Sequence, residues 1–260
     1  MEERDSILSV TNLTVCYDRK PALWEVNVDI PPQSLTGIVG PNGAGKSTFL
    51  KSILGLIPKT SGAVKFFGNP YKEVKNRIAY VPQRGSVDWD YPINARDVVI
   101  MGLYKSVGLF RWIGKRERVL AEEALDRVGM LPYAERQIGE LSGGQQQRVF
   151  LARALVQNAD LYLMDEPFVG IDATTEKVIL GLMQELKEAG TSVVCVHHDL
   201  ATVAEYFDHL VMMNVQMVAS GSMIETFTEE SLRKCYGGQS DLIAKLTNSL
   251  QRLEQLRGAI

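Results

Sequence analysis

No stretch of 18 consecutive apolar residues occurs in the 260-residue chain, and an ordinary membrane-spanning helix needs about 20. The first ten residues, MEERDSILSV, are charged and hold no apolar run of the secretory-leader kind. Cysteine is scarce. Cys16, Cys195 and Cys235 lie too far apart for a metal-binding spacing and are too few for a disulfide framework. The first two fall in apolar, strand-like runs, so buried thiols are expected. Net charge is nearly absent as well: 28 Lys and Arg against 31 Asp and Glu leave −3, which is no footprint for wholesale nucleic-acid binding. These absences predict a cytosolic protein, or one that reaches a membrane only through a partner, with no nucleic acid among its partners.

What the chain has is a globular composition, 45% hydrophobic and 23% charged, sufficient for one large α/β domain or a domain with an inserted lobe. Its most informative stretch is Gly40-Pro41-Asn42-Gly43-Ala44-Gly45-Lys46-Ser47-Thr48, with the spacing G-x-x-x-x-G-K-[ST]. An apolar run containing Leu35, Ile38 and Val39 precedes it and Phe49 to Leu54 follows, so the loop is expected between a buried strand and a helix. Gly40, Gly43 and Gly45 are expected to take angles closed to other residues, turning successive N–H groups toward a polyphosphate at a helix N-terminus. Lys46 is placed to reach the β- and γ-phosphates, and the Ser47 hydroxyl to take one Mg²⁺ position.

Along the chain, Ile7 to Tyr17 and Ala22 to Ile30 alternate apolar with polar residues and predict antiparallel strands joined by Asp18-Arg19-Lys20-Pro21. Tyr17, at a strand end, offers either a ring on which adenine could stack or an ordinary surface tyrosine. Gly62 to Phe67 and Arg77 to Val81 read as further strands, and Pro82 stops the second before Gln83. From Arg84 to Pro92 the residues Asp88, Trp89, Asp90 and Tyr91 crowd together without period, which suggests a binding surface. Helical pattern begins at Asn94, through Val98, Val99, Met101 and Leu103, and returns over Lys115 to Met130, with a charged face at Glu117, Arg118, Glu122, Glu123 and Arg127.

Leu141-Ser142-Gly143-Gly144-Gln145-Gln146-Gln147-Arg148 precedes the helical Val149 to Gln157. Ser142 is a good N-cap and the glycines allow an anion to approach, so the chain holds a second phosphate-binding helix end. This octapeptide resembles the signature motif of ATP-binding cassette (ABC) proteins. In that family's order, Leu161-Tyr162-Leu163-Met164-Asp165-Glu166-Pro167 is similar to the Walker B segment, Val81-Pro82-Gln83 to the Q-loop, Gly170-Ile171-Asp172 to the D-loop, and Val196-His197-His198-Asp199 to the switch histidine. His198 takes that assignment because it directly precedes Asp199; His197 is the other candidate. Val169, Ile171 and Gln33 depart from the commoner family residues.

The resemblance implies an α/β P-loop NTPase core with a mainly parallel sheet, an antiparallel β subdomain and an inserted helical subdomain. The ATPase domain is expected over residues 6–235, with the insertion at about 93–142. It further implies ATP and Mg²⁺ as cofactors, Mg²⁺ organised by Ser47, Asp165 and Gln83, Glu166 as the base, and His198 and Lys46 on the phosphates. Two copies packed head to tail would cover ATP with Ser142, Gly143, Gly144, Gln145 and Asp172. Ser86 to Pro92, Arg136 to Glu140 and Cys195 to Leu200 narrow the likeness to ATPase subunits of manganese, zinc or iron importers. These act at the cytoplasmic face of the inner membrane with permease subunits, expected to dock on Gln83 to Pro92 and the helical lobe, and through them with an extracytoplasmic metal-binding protein. Beyond that match, Ile243, Leu246, Leu250 and Leu253 predict an amphipathic helix within residues 240–260 that either packs on its own domain or contacts a second copy.

Overall fold

The computed structural model describes residues 6–86, 91–104, 113–237 and, in the tail, Leu246, Leu250 and Leu253. In chain order the elements are β1 Leu8–Tyr17, β2 Lys20–Ile30, β3 Leu35–Val39, α1 Lys46–Ile53, β4 Ser61–Phe66, α2 Tyr71–Val74, β5 Ile78–Val81, α3 Ala95–Ile100 and α4 Lys115–Arg127. There follow α5 Gly143–Leu155, β6 Leu161–Asp165, α6 Ala173–Glu188, β7 Ser192–Val196, α7 Leu200–Tyr206, β8 His209–Asn214, β9 Gln216–Ser222, α8 Met223–Thr226 and α9 Glu229–Tyr236. They divide into two compact units, Met1–Lys75 with Ser192–Ile260, and Asn76–Thr191.

In the first unit β1 lies between β2 and β4, antiparallel to both. Tyr17 pairs with Lys20, so the turn is only Asp18-Arg19, two residues shorter than expected. Both take positive φ, 44° and 67°, the two-residue geometry whose twist matches that of the flanking strands. Pro21 therefore belongs to β2, on the outside of this three-stranded sheet, where the missing N–H breaks no ladder.

The same unit holds β3, parallel to β7 on one side and β8 on the other, with β9 antiparallel to β8. All five β3 residues are buried, which explains its apolar run: a parallel strand covered on both faces has no water-facing side. Gln33 takes φ 52° and donates its backbone N–H to Ser192 Oγ at 2.8 Å. β3 ends directly before Gly40, so the glycine-rich loop leaves a rigid strand terminus.

In the second unit β5 and β6 run parallel. Leu161, Leu163 and Met164 of β6 and Val99, Leu125 and Val149 of the helices are fully buried. α4 buries only Ala121, Ala124 and Leu125 and leaves its charges to solvent, as its sequence pattern predicts. Asn94 caps α3 by accepting from the Asp97 N–H at 2.7 Å. Arg96 of α3 pairs with Glu135 at 2.5 Å and Glu122 at 3.5 Å, tying this helical part together.

Among the described residues no helix is long and apolar enough to cross a membrane. Cys195 and Cys235 are buried and Cys16 is half-buried. Leu246, Leu250 and Leu253 are helical and covered by this chain itself; Ile243, Asp88, Trp89 and Asp90 lie outside the described residues.

Candidate functional site

The glycine-rich loop needs its glycines for different reasons. Gly43 and Gly45 have φ 80° and 90°, the left-handed region that side chains avoid. A Cβ on Gly45 would also strike the Ala22 carbonyl. Gly40 has no positive φ, contrary to the sequence expectation; a Cβ there would collide with the Met213 carbonyl oxygen. Lys46 is buried and folds over its own loop, its Nζ donating to the carbonyls of Gly40 at 2.8 Å and Pro41 at 3.1 Å. Asn42 and Gly43 are exposed, Ala44 is buried, and Pro41, Ser47 and Thr48 are intermediate.

α9 is bonded to the end of β8, whose Met213 carbonyl abuts Gly40. Asn214 Nδ2 donates to the Cys235 carbonyl at 3.0 Å, and Cys235 Sγ to the Met213 carbonyl at 3.5 Å. Burial pushes the Cys235 thiol up to about 11, so it stays a protonated packing residue. Tyr17 stands half exposed at the end of β1.

The two histidines after β7 differ. His197 is buried; its Nε2 meets Thr202 Oγ1 at 2.8 Å and its ring lies 5.6 Å from that of Phe207. His198 is exposed. Desolvation lowers the His197 pKa to about 4, below the ordinary value near 6.5. A folded-state pKa below the unfolded one means the stabilisation is complete above pH 6.5 and is lost as pH falls toward 4, by at most about 3 kcal/mol. Urea titrations between pH 7 and 4 should therefore show a steeper loss of stability for the wild type than for His197→Gln.

In the second unit Asp165 ends β6 fully buried, with the Tyr80 hydroxyl donating to its Oδ2 at 3.4 Å. Burial, followed by the neighbouring carboxylate, pushes the Tyr80 pKa upward. Glu166 follows with φ 53°, a left-handed conformation costing a non-glycine residue about 1–3 kcal/mol. Gln83 Nε2 donates to Glu166 Oε2 at 2.7 Å, so the structure brings the Q-loop glutamine and the candidate base into direct contact.

Ser142 caps α5, its Oγ accepting from the Gln145 N–H at 3.4 Å while Gln145 Oε1 accepts from the Ser142 N–H at 2.9 Å. This capping box satisfies two orphan donors. Asp172 caps α6 through the Thr175 N–H at 2.9 Å and hydroxyl at 3.0 Å; these bonds lower its pKa. A Cβ on Gly144 would lie 2.8 Å from Thr175 Oγ1 and 3.1 Å from Asp172 Oδ2, so this glycine is required by close approach of the α6 cap. Sequence reasoning missed Arg84, whose guanidinium donates to the buried Gln146. Among the described residues no group of three or more His, Cys, Asp and Glu could hold a metal ion.

Residues 23–169 match the family model described as ABC transporter. The chain belongs to the ABC transporter family. As an ABC ATPase it binds nucleotide and hydrolyses ATP. It is 55% identical over 232 residues to the zinc transport system ATP-binding protein TroB of Treponema pallidum (strain Nichols), covering 89% of this chain and 87% of that protein. To the manganese transport system ATP-binding protein MntB of Bacillus subtilis (strain 168) it is 53% identical, over 89% of this chain and 93% of that one. A dimeric ATP-binding cassette solved in a post-hydrolysis state with ADP and Pi superposes with a TM-score of 0.73 at 28% identity, covering 83% of this ABC ATPase and 98% of that chain.

Proposed function

We propose that this ABC ATPase energises the import of a divalent transition metal, manganese, zinc or iron, through separate membrane subunits at the cytoplasmic face of the membrane. The observation that carries the proposal is its 55% and 53% identity, over 89% of the chain, to the ATP-binding proteins of a zinc and a manganese transport system. A permease would dock on Gln83 to Pro92 and the helices from α3, and an extracytoplasmic metal-binding protein would act through it. Exposed Tyr91 and Tyr104, 62% and 54% accessible, support an interface there.

In this reading the loop from Gly40 to Thr48 holds the phosphates of ATP, Tyr17 stacks on adenine, and Ser142, Gly143, Gly144 and Gln145 of a second copy close over the nucleotide, with Asp172 beside them. By the family resemblance Ser47, Gln83 and the buried Asp165 would each offer an oxygen donor of the kind Mg²⁺ prefers, and the ion when bound would offset phosphate charge. Glu166 then accepts the proton of the attacking water, and His198 holds the γ-phosphate in line. What supports His198 over His197 is its exposure, His197 being spent on Thr202 and the core.

The reading predicts that the ATPase pulls an integral membrane protein from detergent-solubilised membranes, and that vesicles carrying the complex take up Mn²⁺ or Zn²⁺ only with ATP inside the compartment that exposes the subunit. Vesicles that retain ATP hydrolysis but accumulate neither ion, nor Fe²⁺, would refute metal import. Lys46→Ala should weaken ATP binding by about 10- to 100-fold, the worth of a charge-assisted contact to phosphate, and abolish uptake; equilibrium titration with ATP measures the first.

A further inference from the structure

The two residues that open the segment after β5 reach in different directions within the second unit. Gln83 donates from Nε2 to Glu166 Oε2 at 2.7 Å. Arg84, the next residue, donates from Nε at 3.1 Å and Nη2 at 3.0 Å to Gln146 Oε1. Gln146 is itself only 4% exposed, and its Nε2 donates to the Ile138 carbonyl at 3.0 Å. It lies one turn inside α5, whose first residue is Gly143 and whose cap is Ser142. A Cβ on Gly143 would sit 2.8 Å from Arg84 Nη1 and 2.9 Å from Cζ. The first glycine of the signature thus makes room for the guanidinium, which the capping role of Ser142 does not require.

We propose that Arg84 is a positioning residue that ties the candidate base Glu166, through Gln83, to the signature end of α5. Adjacent Cα atoms stay 3.8 Å apart, so any displacement of the Gln83 backbone toward nucleotide carries the Arg84 backbone with it. The two-pronged bond to Gln146 passes that displacement to the helix end that covers a second copy's ATP. Coupling of this kind is reciprocal: closure on the signature end pulls back on Gln83 and sets the Glu166 carboxylate. One subunit thereby releases its base when its signature helix is engaged. Lysine could keep the charge but not the fork.

The proposal rests on the ATPase reading, and a double-mutant cycle separates the two. Steady-state ATPase kinetics and ATP-binding titrations are run on the full chain as wild type, Arg84→Ala, Arg84→Lys, Gln146→Met and the Arg84→Ala/Gln146→Met double variant. Methionine keeps the side-chain length without the acceptor. Arg84→Ala and Gln146→Met are each expected to lower kcat about tenfold, within the range for residues that carry coupling, with ATP affinity of the subunit changed less than about twofold. Arg84→Lys should recover part of the rate. The double variant should be no slower than the slower single one. Multiplied losses, unchanged kcat in Arg84→Ala, or an ATP affinity that falls as far as kcat would overturn the tether. If Gln146→Met does not fold, a graded order of wild type, Arg84→Lys and Arg84→Ala in kcat sustains the proposal and any other order overturns it. A wild type that binds no ATP would refute the ATPase reading instead.

Discussion

Replacing Glu166 with glutamine is expected to slow ATP hydrolysis by about 10²–10⁴-fold, the usual worth of a positioned general base, while ATP still binds. Glutamine keeps the length and planarity of the side chain and can still accept from Gln83 Nε2, which reaches Glu166 Oε2 at 2.7 Å. What disappears is the capacity to take up a proton. Binding without turnover should trap the ATP-bound pair of subunits, so size-exclusion chromatography with ATP and Mg²⁺ should show a dimer in the variant where the wild type returns to monomer. A Glu166→Gln variant turning over at the wild-type rate would remove Glu166 from the base role.

The second large effect is expected from Ser142→Arg, which should block ATP-dependent pairing and the hydrolysis that depends on it while leaving ATP binding by the single subunit intact. Ser142 is exposed and caps α5, and arginine there replaces a small hydroxyl with bulk and with positive charge at the positive end of a helix dipole. Part of any loss would come from the cap, worth about 0.5–2 kcal/mol. Ser142→Ala measures that part, because it removes the cap without adding bulk. Pairing followed by light scattering should survive Ser142→Ala and fail in Ser142→Arg. Equal loss of ATP binding by the monomer in Lys46→Ala and Ser142→Arg would refute the arrangement in which the two ends serve different nucleotides.

Much of this was legible in the sequence wherever local chemistry decides the local structure. Ser142 three residues before Gln145 announces a capping box, and the largely apolar β3 and β6 announce buried strands before the glycine-rich loop and an acidic pair. Contacts between residues distant in the chain were not legible. Gly40 is a glycine because Met213, far along the chain, brings its carbonyl oxygen against it, and nothing in GPNGAGKST shows that neighbour. Gln83 carried its Q-loop label, but its bond to Glu166 spans 83 positions. Arg84 passed unremarked because its role depends on Gln146 and on the space left by Gly143. The hairpin turn was misjudged for a local reason: Pro21 usually marks a turn, yet two successive positive φ angles at Asp18 and Arg19 complete the reversal before it.

With Glu166 as the proposed base, its backbone at φ 53° sets stability against chemistry at one position. Glycine, or at lower cost asparagine, is the residue this conformation favours. Neither could take the base role proposed for Glu166. Drift toward a more comfortable backbone would yield a sturdier protein that binds ATP and does no work, and only selection for turnover opposes it. On that proposal the position is a point where thermal hardening and catalytic competence diverge, and stabilising substitutions elsewhere in the chain are the compatible route to a more robust enzyme.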